Sequence, residues 1–171
     1  NDIRNTFTKY YKEYLLPMAY QHNSPEYLEN GQFEDYKKVD LKFLFYTDLH
    51  ENAVNLNRIM ILGDYLHDKG VLDCIIAGGD NCQQGNNDYN WYNLTLSQSK
   101  AENLVAVGNH DASTYWSATK ESAYNNNIKP TLDRVSGIIT PEDSETAHRL
   151  YYYKDYNNVR VIVLYTPPVG D

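Results

Sequence analysis

Short apolar runs alternate with stretches of helical spacing along the middle of the chain. Three runs are typical of buried strands because they are short, apolar and bounded by polar residues or glycine: residues 41–47 (LKFLFYT), 71–77 (VLDCIIA) and 103–107 (NLVAV). Residues 52–70, between the first two runs, have the spacing of a helix that ends at Lys69-Gly70. A second helix is expected at about 92–101. This order predicts an α/β sheet that is parallel in its first part.

The flanking regions have different patterns. Residues 3–20 place their large apolar side chains near one helical face, and a polar connector follows. Residues 112–147 are expected to be irregular, with one helix at about 117–126. Residues 149–166 (RLYYYKDYNNVRVIVLYT) alternate as in a β-hairpin whose turn lies in KDYNN. We therefore divide the chain into an N-terminal helix and connector, residues 1–40, and one domain, residues 41–171.

Polar side chains follow each of the first three predicted strands directly. They are Asp48 and His50 after the first strand, Asp80 and Asn81 after the second, and Asn109, His110 and Asp111 after the third. Because sites in open α/β sheets form at the carboxyl ends of the strands, these groups are expected to converge. Carboxylates, imidazoles and an amide oxygen are ligands that suit Mn²⁺, Fe, Zn²⁺ or Mg²⁺, and one Asp can bridge two cations about 3.5–4 Å apart. Gly78, Gly79 and Gly108 would let the backbone turn sharply and approach the metals closely.

Each of these stretches also has a simpler structural explanation when it is taken alone. Asp48 could cap the helix that begins near Asn52. Asp80-Asn81 could form an Asx-turn, and Gly108-Asn109 would suffice for an ordinary turn. The joint occurrence of all three, each at the end of a strand, favours a metal site. Gly63-Asp64 is a further Gly-Asp pair, but it falls inside a predicted helix and is left out of the site.

The stretches DLH (48–50), GGDN (78–81) and GNHD (108–111) resemble the first three motifs of the calcineurin-like metallophosphoesterases: D-x-H, G-D and G-N-H-[DE]. The resemblance runs from about Lys42 to Thr166. It implies an α/β fold with a β-sandwich flanked by helices, in α-β-β-α layers. The family's later His and G-H-x-H motifs do not occur before Asp171. We therefore expect residues 41–171 to be the N-terminal part of such a domain, joined to the remainder of a longer polypeptide.

The resemblance also implies a role for each residue. The implied ligands are Asp48 and His50 for the first divalent metal ion, Asp80 for both, and Asn109 for the second. His110 would face the substrate and protonate the leaving oxygen, and Asp111 would orient His110. The implied reaction is hydrolysis of a phosphomonoester or phosphodiester by a metal-bound hydroxide at a dinuclear site.

A hypothesis from another class is a non-catalytic binding or structural module with a vestigial or incomplete metal site. The missing motifs and the Tyr- and Asn-rich stretch after Asp80 motivate it. Within that stretch Tyr89, Trp91 and Tyr92 either pack on their own domain or stack on a substrate near the mouth of the site.

The net charge narrows the possible partners, and the cysteine content narrows the possible kinds of structural site. The formal net charge of −8 disfavours binding to nucleic acid or to an anionic membrane, but it does not exclude a small anionic substrate held by bound cations. The partner that the resemblance implies is a small phosphoester substrate. Cys74 and Cys82 form neither a zinc ribbon nor a disulfide framework. The given sequence shows no signal peptide and no apolar run of about 20 residues. It leaves the compartment open, with the cytoplasm favoured.

Overall fold

The structure is a computed structural model that describes residues 39–50, 52–83, 89–112, 119–140 and 150–165. The helix predicted at 3–20 lies outside these residues, and the boundary between residues 40 and 41 stays a prediction. Within the described ranges, no helix is long and apolar enough to cross a membrane.

The first sheet is parallel, as predicted. Its strands are β1 (Phe43–Tyr46), β2 (Cys74–Ala77) and β3 (Glu102–Val105), in the spatial order β1-β2-β3. Helix α1 (Ala53–Asp68) connects β1 to β2, and helix α2 (Tyr89–Ser97) lies between β2 and β3. Helix α1 ends as predicted, because Lys69 is its C-cap and Gly70 follows with a φ of 69°. Helix α2 spans Tyr89–Ser97 rather than the predicted 92–101, so both predicted ends were wrong.

The region after β3 is more helical than predicted. Helix α3 (Asn109–Ala112) follows at once. A second helical run consists of α4 (Lys120–Ala123), a π-helical turn (Tyr124–Ile128) and α5 (Lys129–Arg134). The prediction of a single helix ending near residue 126 was therefore wrong at its C-terminal end. Pro130 lies in the first turn of α5, directly after the π-helical turn.

The second sheet is antiparallel and contains the predicted hairpin. Its strands are β4 (Ile138–Ile139), β5 (Tyr152–Tyr156) and β6 (Val159–Val163), in the order β4-β5-β6. The hairpin turns at residues 157–158, where Asn157 has a φ of 49°. Strand β4 has only two residues, which is too short to give an alternating pattern in the sequence.

The two faces of the first sheet pack against different layers. On one face Ile75 and Val105 join a core that includes residues of α1 and α2. On the other face Leu104 packs in a second core with Tyr152 and Val163 of the second sheet. The described layers are therefore helices, parallel sheet and antiparallel sheet, which are three of the four layers of the predicted α-β-β-α arrangement. This arrangement places the carboxyl ends of β1, β2 and β3 along one edge of the sandwich.

Candidate metal centre

The three segments that follow β1, β2 and β3 are joined to one another by hydrogen bonds. The backbone N–H of Asp48 donates to the Gly79 carbonyl oxygen, and that of His50 donates to the Asp80 carbonyl oxygen, both at 3.1 Å. The Asp80 carboxylate accepts from the backbone N–H of His110 at 2.9 Å. The predicted convergence of the three strand ends is therefore present in the fold.

Two glycines make this close packing possible. A Cβ atom added to Gly79 would lie 2.8 Å from the Gly108 nitrogen, closer than real Cβ contacts come. A Cβ atom on Gly108 would overlap the carboxylate and the backbone nitrogen of Asp80. The two loops thus approach each other backbone to backbone, which only glycine at both positions permits.

Three residues predicted as metal ligands have left-handed backbone conformations. The φ angles are 54° at Asp48, 44° at His50 and 51° at Asp80. Among the described residues other than glycine, only Asn157 shares this property. Such conformations cost on the order of 1–3 kcal/mol each and concentrate at functional sites, where the surrounding structure holds them in place. Here the backbone hydrogen bonds from Asp48 and His50 to the segment after β2 hold the conformations of these two residues in place.

The side chains of His50, Asp80 and His110 form a cluster that could hold a metal ion. One potential ligand atom from each lies within 4.8 Å of the other two, and the two imidazole rings meet edge to face with centroids 4.6 Å apart. Asp48 adjoins this cluster, since its carboxylate lies 3.8 Å from Nε2 of His50. Asn109 is exposed at the start of α3, and its role as a ligand stays a prediction.

The donor atoms of this cluster fit a divalent cation. Two imidazoles and a carboxylate are a nitrogen and oxygen set of the kind that binds Mn²⁺, Fe or Zn²⁺. Among the described residues, no Lys or Arg forms an ion pair with Asp48 or Asp80. Within the described ranges, the two carboxylates therefore have no Lys or Arg partner.

The structure gives Asp111 different partners from those expected. Its carboxylate accepts from the Tyr89 hydroxyl at 2.5 Å, from Nδ2 of Asn81 at 3.1 Å and from the backbone N–H of Gly108 at 2.9 Å. Burial raises the pKa of Asp111, and these hydrogen bonds oppose that rise. The group near Nδ1 of His110 is instead the carbonyl oxygen of Gln83, at 3.0 Å. Direct orientation of the His110 ring by Asp111 remains a prediction that these contacts do not support.

Two of the three simpler explanations of the strand ends are excluded by the observed contacts, whereas Gly108-Asn109 does form a turn, closed by the Asp111 N–H donating to the Gly108 carbonyl oxygen at 3.2 Å. The N-cap of α1 is Asn52, whose side-chain oxygen accepts from the Asn55 N–H at 3.0 Å, so Asp48 does not cap the helix. The Asp80 side chain bonds a residue 30 positions away rather than its own turn. Gly63-Asp64 does lie inside α1, where the Asp64 carboxylate accepts from the Lys100 N–H at 2.7 Å.

Several residues around the site were missed or left undecided by the sequence. Tyr89 and Tyr92 are buried in the domain core, which settles their role as packing residues rather than a stacking surface at the mouth of the site. Tyr89, Tyr92 and Leu96 are spaced by three and four residues, and this spacing in the sequence indicates one buried face of a helix. Asn127 is also fully buried near the site, and the polar stretch around it gave no such signal.

Comparison with known proteins agrees with this geometry. The chain matches a family model described as "Calcineurin-like phosphoesterase" over residues 41–168. No match was found among the curated proteins or the solved structures. Because the matched region covers more than half of the 171 residues, the chain belongs to the calcineurin-like phosphoesterase family.

Proposed function

We propose that this protein hydrolyses a phosphomonoester or phosphodiester at a dinuclear metal site formed by the ends of β1, β2 and β3. Family membership supports a metal-dependent phosphoesterase in general. The observation that carries the proposal is the meeting of His50, Asp80 and His110, from three separate strand ends, within 4.8 Å.

In this proposal Asp48 and His50 would hold the first cation, Asn109 would hold the second, and Asp80 would contribute to both. Such a cation, when bound, acts as a Lewis acid toward a phosphoryl oxygen and lowers the pKa of a bound water. The glycine contact between the two loops supports the sharing of Asp80, because it brings the GNHD segment directly against that residue.

His110 is proposed as the general acid. A carbonyl oxygen can only accept a hydrogen bond, so the Gln83 contact supports a neutral ring with its proton on Nδ1. Nε2 of that ring then carries the lone pair, and it gains a proton when the ring becomes an imidazolium. The charged ring can donate this proton to the leaving oxygen and stabilise the negative charge that develops there.

A calorimetric Mn²⁺ titration of the wild-type protein, Asp80→Asn and Asp133→Asn tests the metal site. The two variants lose the same charge, but Asp133 is exposed and pairs with Lys129 on the surface of α5. We expect the wild type and Asp133→Asn to bind alike, and Asp80→Asn to bind at least about 10-fold more weakly. Absence of binding by the wild type, or equal losses in the two variants, would contradict the proposed site.

Turnover separates the enzyme from the non-catalytic module. Aryl phosphate monoester and diester substrates, assayed with Mn²⁺, show which ester class is cleaved. Metal binding that depends on Asp80 but supports cleavage of neither class would favour the module.

A further inference from the structure

A buried polar network lies beneath the metal centre. Its members are polar side chains that are at least nine-tenths buried: Tyr46, Asn81, Tyr89, Tyr92, Asp111 and Asn127. Buried polar groups are costly unless they are hydrogen-bonded, and a fully bonded set fixes one arrangement of the elements that carry it.

Four of these side chains close a ring of hydrogen bonds. Nδ2 of Asn81 lies 3.1 Å from the Asp111 carboxylate and 3.2 Å from Oδ1 of Asn127, and its two hydrogens are shared between these acceptors and the Ala106 carbonyl oxygen at 2.9 Å. Nδ2 of Asn127 donates to the Tyr89 hydroxyl at 3.1 Å, and that hydroxyl donates to the other oxygen of Asp111 at 2.5 Å. The ring therefore joins the segment after β2, helix α2, helix α3 and the π-helical turn.

The π-helical turn contributes Asn127 to the ring of hydrogen bonds. Asn127 lies in this turn, Tyr124–Ile128, between α4 and α5. A π-turn has one more residue than an α-turn, which changes the direction of the side chains it carries, and such turns are frequent at functional sites. The Asn127 side chain also donates to the Ala123 carbonyl at 3.2 Å, so its amide is held from both sides.

Asp111 connects the ring to the segment that contacts His110. Its carboxylate accepts from the backbone N–H groups of Asn81, at 3.4 Å, and Cys82, at 3.3 Å. The next residue is Gln83, whose carbonyl oxygen lies 3.0 Å from Nδ1 of His110. A displacement of Asp111 would therefore move the group that faces the ring.

We propose that Tyr89 and Asn127 are positioning residues for His110. They fix the Asp111 carboxylate, which fixes residues 81–83, so that the Gln83 carbonyl selects the tautomer with its proton on Nδ1. The importance of this tautomer for catalysis rests on the proposed function, whereas the tautomer itself can be measured in the metal-free protein.

The test compares Tyr89→Phe with Tyr152→Phe. Both changes delete only a hydroxyl, and the two side chains are 2% and 1% exposed. The Tyr152 hydroxyl bonds the backbone of Val105 and does not belong to the network, so Tyr152→Phe controls for the loss of a buried hydroxyl. Asn127→Ala is a second, independent variant, which decides the matter if Tyr89→Phe does not fold.

The readout is the pair of ¹⁵N chemical shifts of the His110 ring in metal-free protein with the ring neutral, assigned through His110→Gln. We expect the Nδ1–H tautomer to dominate in the wild type and in Tyr152→Phe, and a mixture of tautomers in Tyr89→Phe and Asn127→Ala. An unchanged tautomer in both network variants, or an equal change in Tyr152→Phe, would overturn the proposal.

A kinetic readout complements the spectrum. If the protein hydrolyses phosphoesters, we expect kcat of Tyr89→Phe to fall by about 10-fold, with KM nearly unchanged. Lack of turnover in the wild type would count against the proposed function, and the tautomer would still decide the role of Tyr89 and Asn127.

Discussion

At the scale of single residues, the site depends on backbone positions that tolerate few side chains. Gly108 packs directly against Asp80, and a methyl group there would push the β2 and β3 loops apart. Gly137 provides a matched control, since it lies at a φ of 72° and a Cβ atom would have the Lys154 Nζ, at 3.9 Å, as its nearest neighbour.

We expect Gly108→Ala to lower the free energy of unfolding by about 1–3 kcal/mol through overpacking and to weaken Mn²⁺ binding. Gly137→Ala should cost about 1–2 kcal/mol through backbone strain alone and leave Mn²⁺ binding unchanged. Chemical denaturation and calorimetry measure the two effects. Equal Mn²⁺ affinities for the two variants would mean that the contact between the loops does not shape the site.

A substitution of His110 tests whether its imidazole acts as a proton donor or as a metal ligand. For His110→Gln we expect kcat to fall by about 10²- to 10⁴-fold while the Mn²⁺ affinity changes little. His67→Gln is the control, because His67 is exposed at the end of α1. If His110→Gln instead loses Mn²⁺ affinity as Asp80→Asn is expected to do, His110 is a ligand, as its place beside His50 and Asp80 allows.

The meeting of Asp80 and His110 could be predicted from the sequence, because the carboxyl ends of parallel strands share one edge. The partners of Asp111 could not be predicted in this way. Tyr89 and Asn127 reach it from a helix and a π-turn, and their approach depends on three-dimensional packing that no local pattern encodes.

At the scale of elements, strong periodicity was a reliable guide and weak periodicity was not. Helix α1 and the β5-β6 hairpin lie where the apolar spacing and the turn residues place them. The YNNNI stretch of the π-helical turn has no apolar repeat, and it is followed by a proline. The buried side chains of Asn127, Ile128 and Thr131 instead tie this helical run to the rest of the domain.

Two substitutions near the start of α1 distinguish a residue that caps the helix from a residue that binds metal. We expect Asn52→Ala to lower the free energy of unfolding by about 1 kcal/mol, because the cap to Asn55 is lost, without changing Mn²⁺ affinity. Asp48→Ala should show the reverse pattern: weaker Mn²⁺ binding and no loss of a helix cap. Denaturation and Mn²⁺ titration measure the two effects. If Asp48→Ala lowers the free energy of unfolding but leaves Mn²⁺ affinity unchanged, Asp48 has a structural role and is not a metal ligand.

At the scale of the whole molecule, the two sheets are linked by polar as well as apolar contacts. Lys154 of β5 reaches across to Glu102 of β3 at 3.0 Å, and the Tyr156 hydroxyl donates to the same carboxylate at 2.7 Å. Removing one partner of a fully buried ion pair typically costs about 3–5 kcal/mol, and an exposed pair contributes about 0–1 kcal/mol. The Glu102 side chain is 33% exposed, so this pair should lie between the two. This link lies at the start of β3, whereas the metal centre lies beyond its end, so it can stabilise the sandwich without touching the site.

The buried tyrosines that stabilise the domain should also limit its stability in alkali. Burial raises the pKa of Tyr46, Tyr89, Tyr92 and Tyr152 above the ordinary value of 10.0. Above about pH 10 the unfolded chain releases these protons while the folded chain keeps them. The unfolded state then binds fewer protons, so the free energy of unfolding falls as the pH rises.

Each such group contributes a slope of about 1.4 kcal/mol per pH unit, so four together would remove a typical stability of about 5–15 kcal/mol within about one to three pH units. We expect exposed tyrosines to ionise without unfolding, and the buried ones to ionise together with the loss of circular dichroism. Tyrosinate absorbance and circular dichroism followed against pH measure both events. Tyr152→Phe removes one group and should make the stability fall less steeply with pH. Ionisation of every tyrosine in a single step near pH 10, with the fold intact, would show that these hydroxyls are not held in a buried environment.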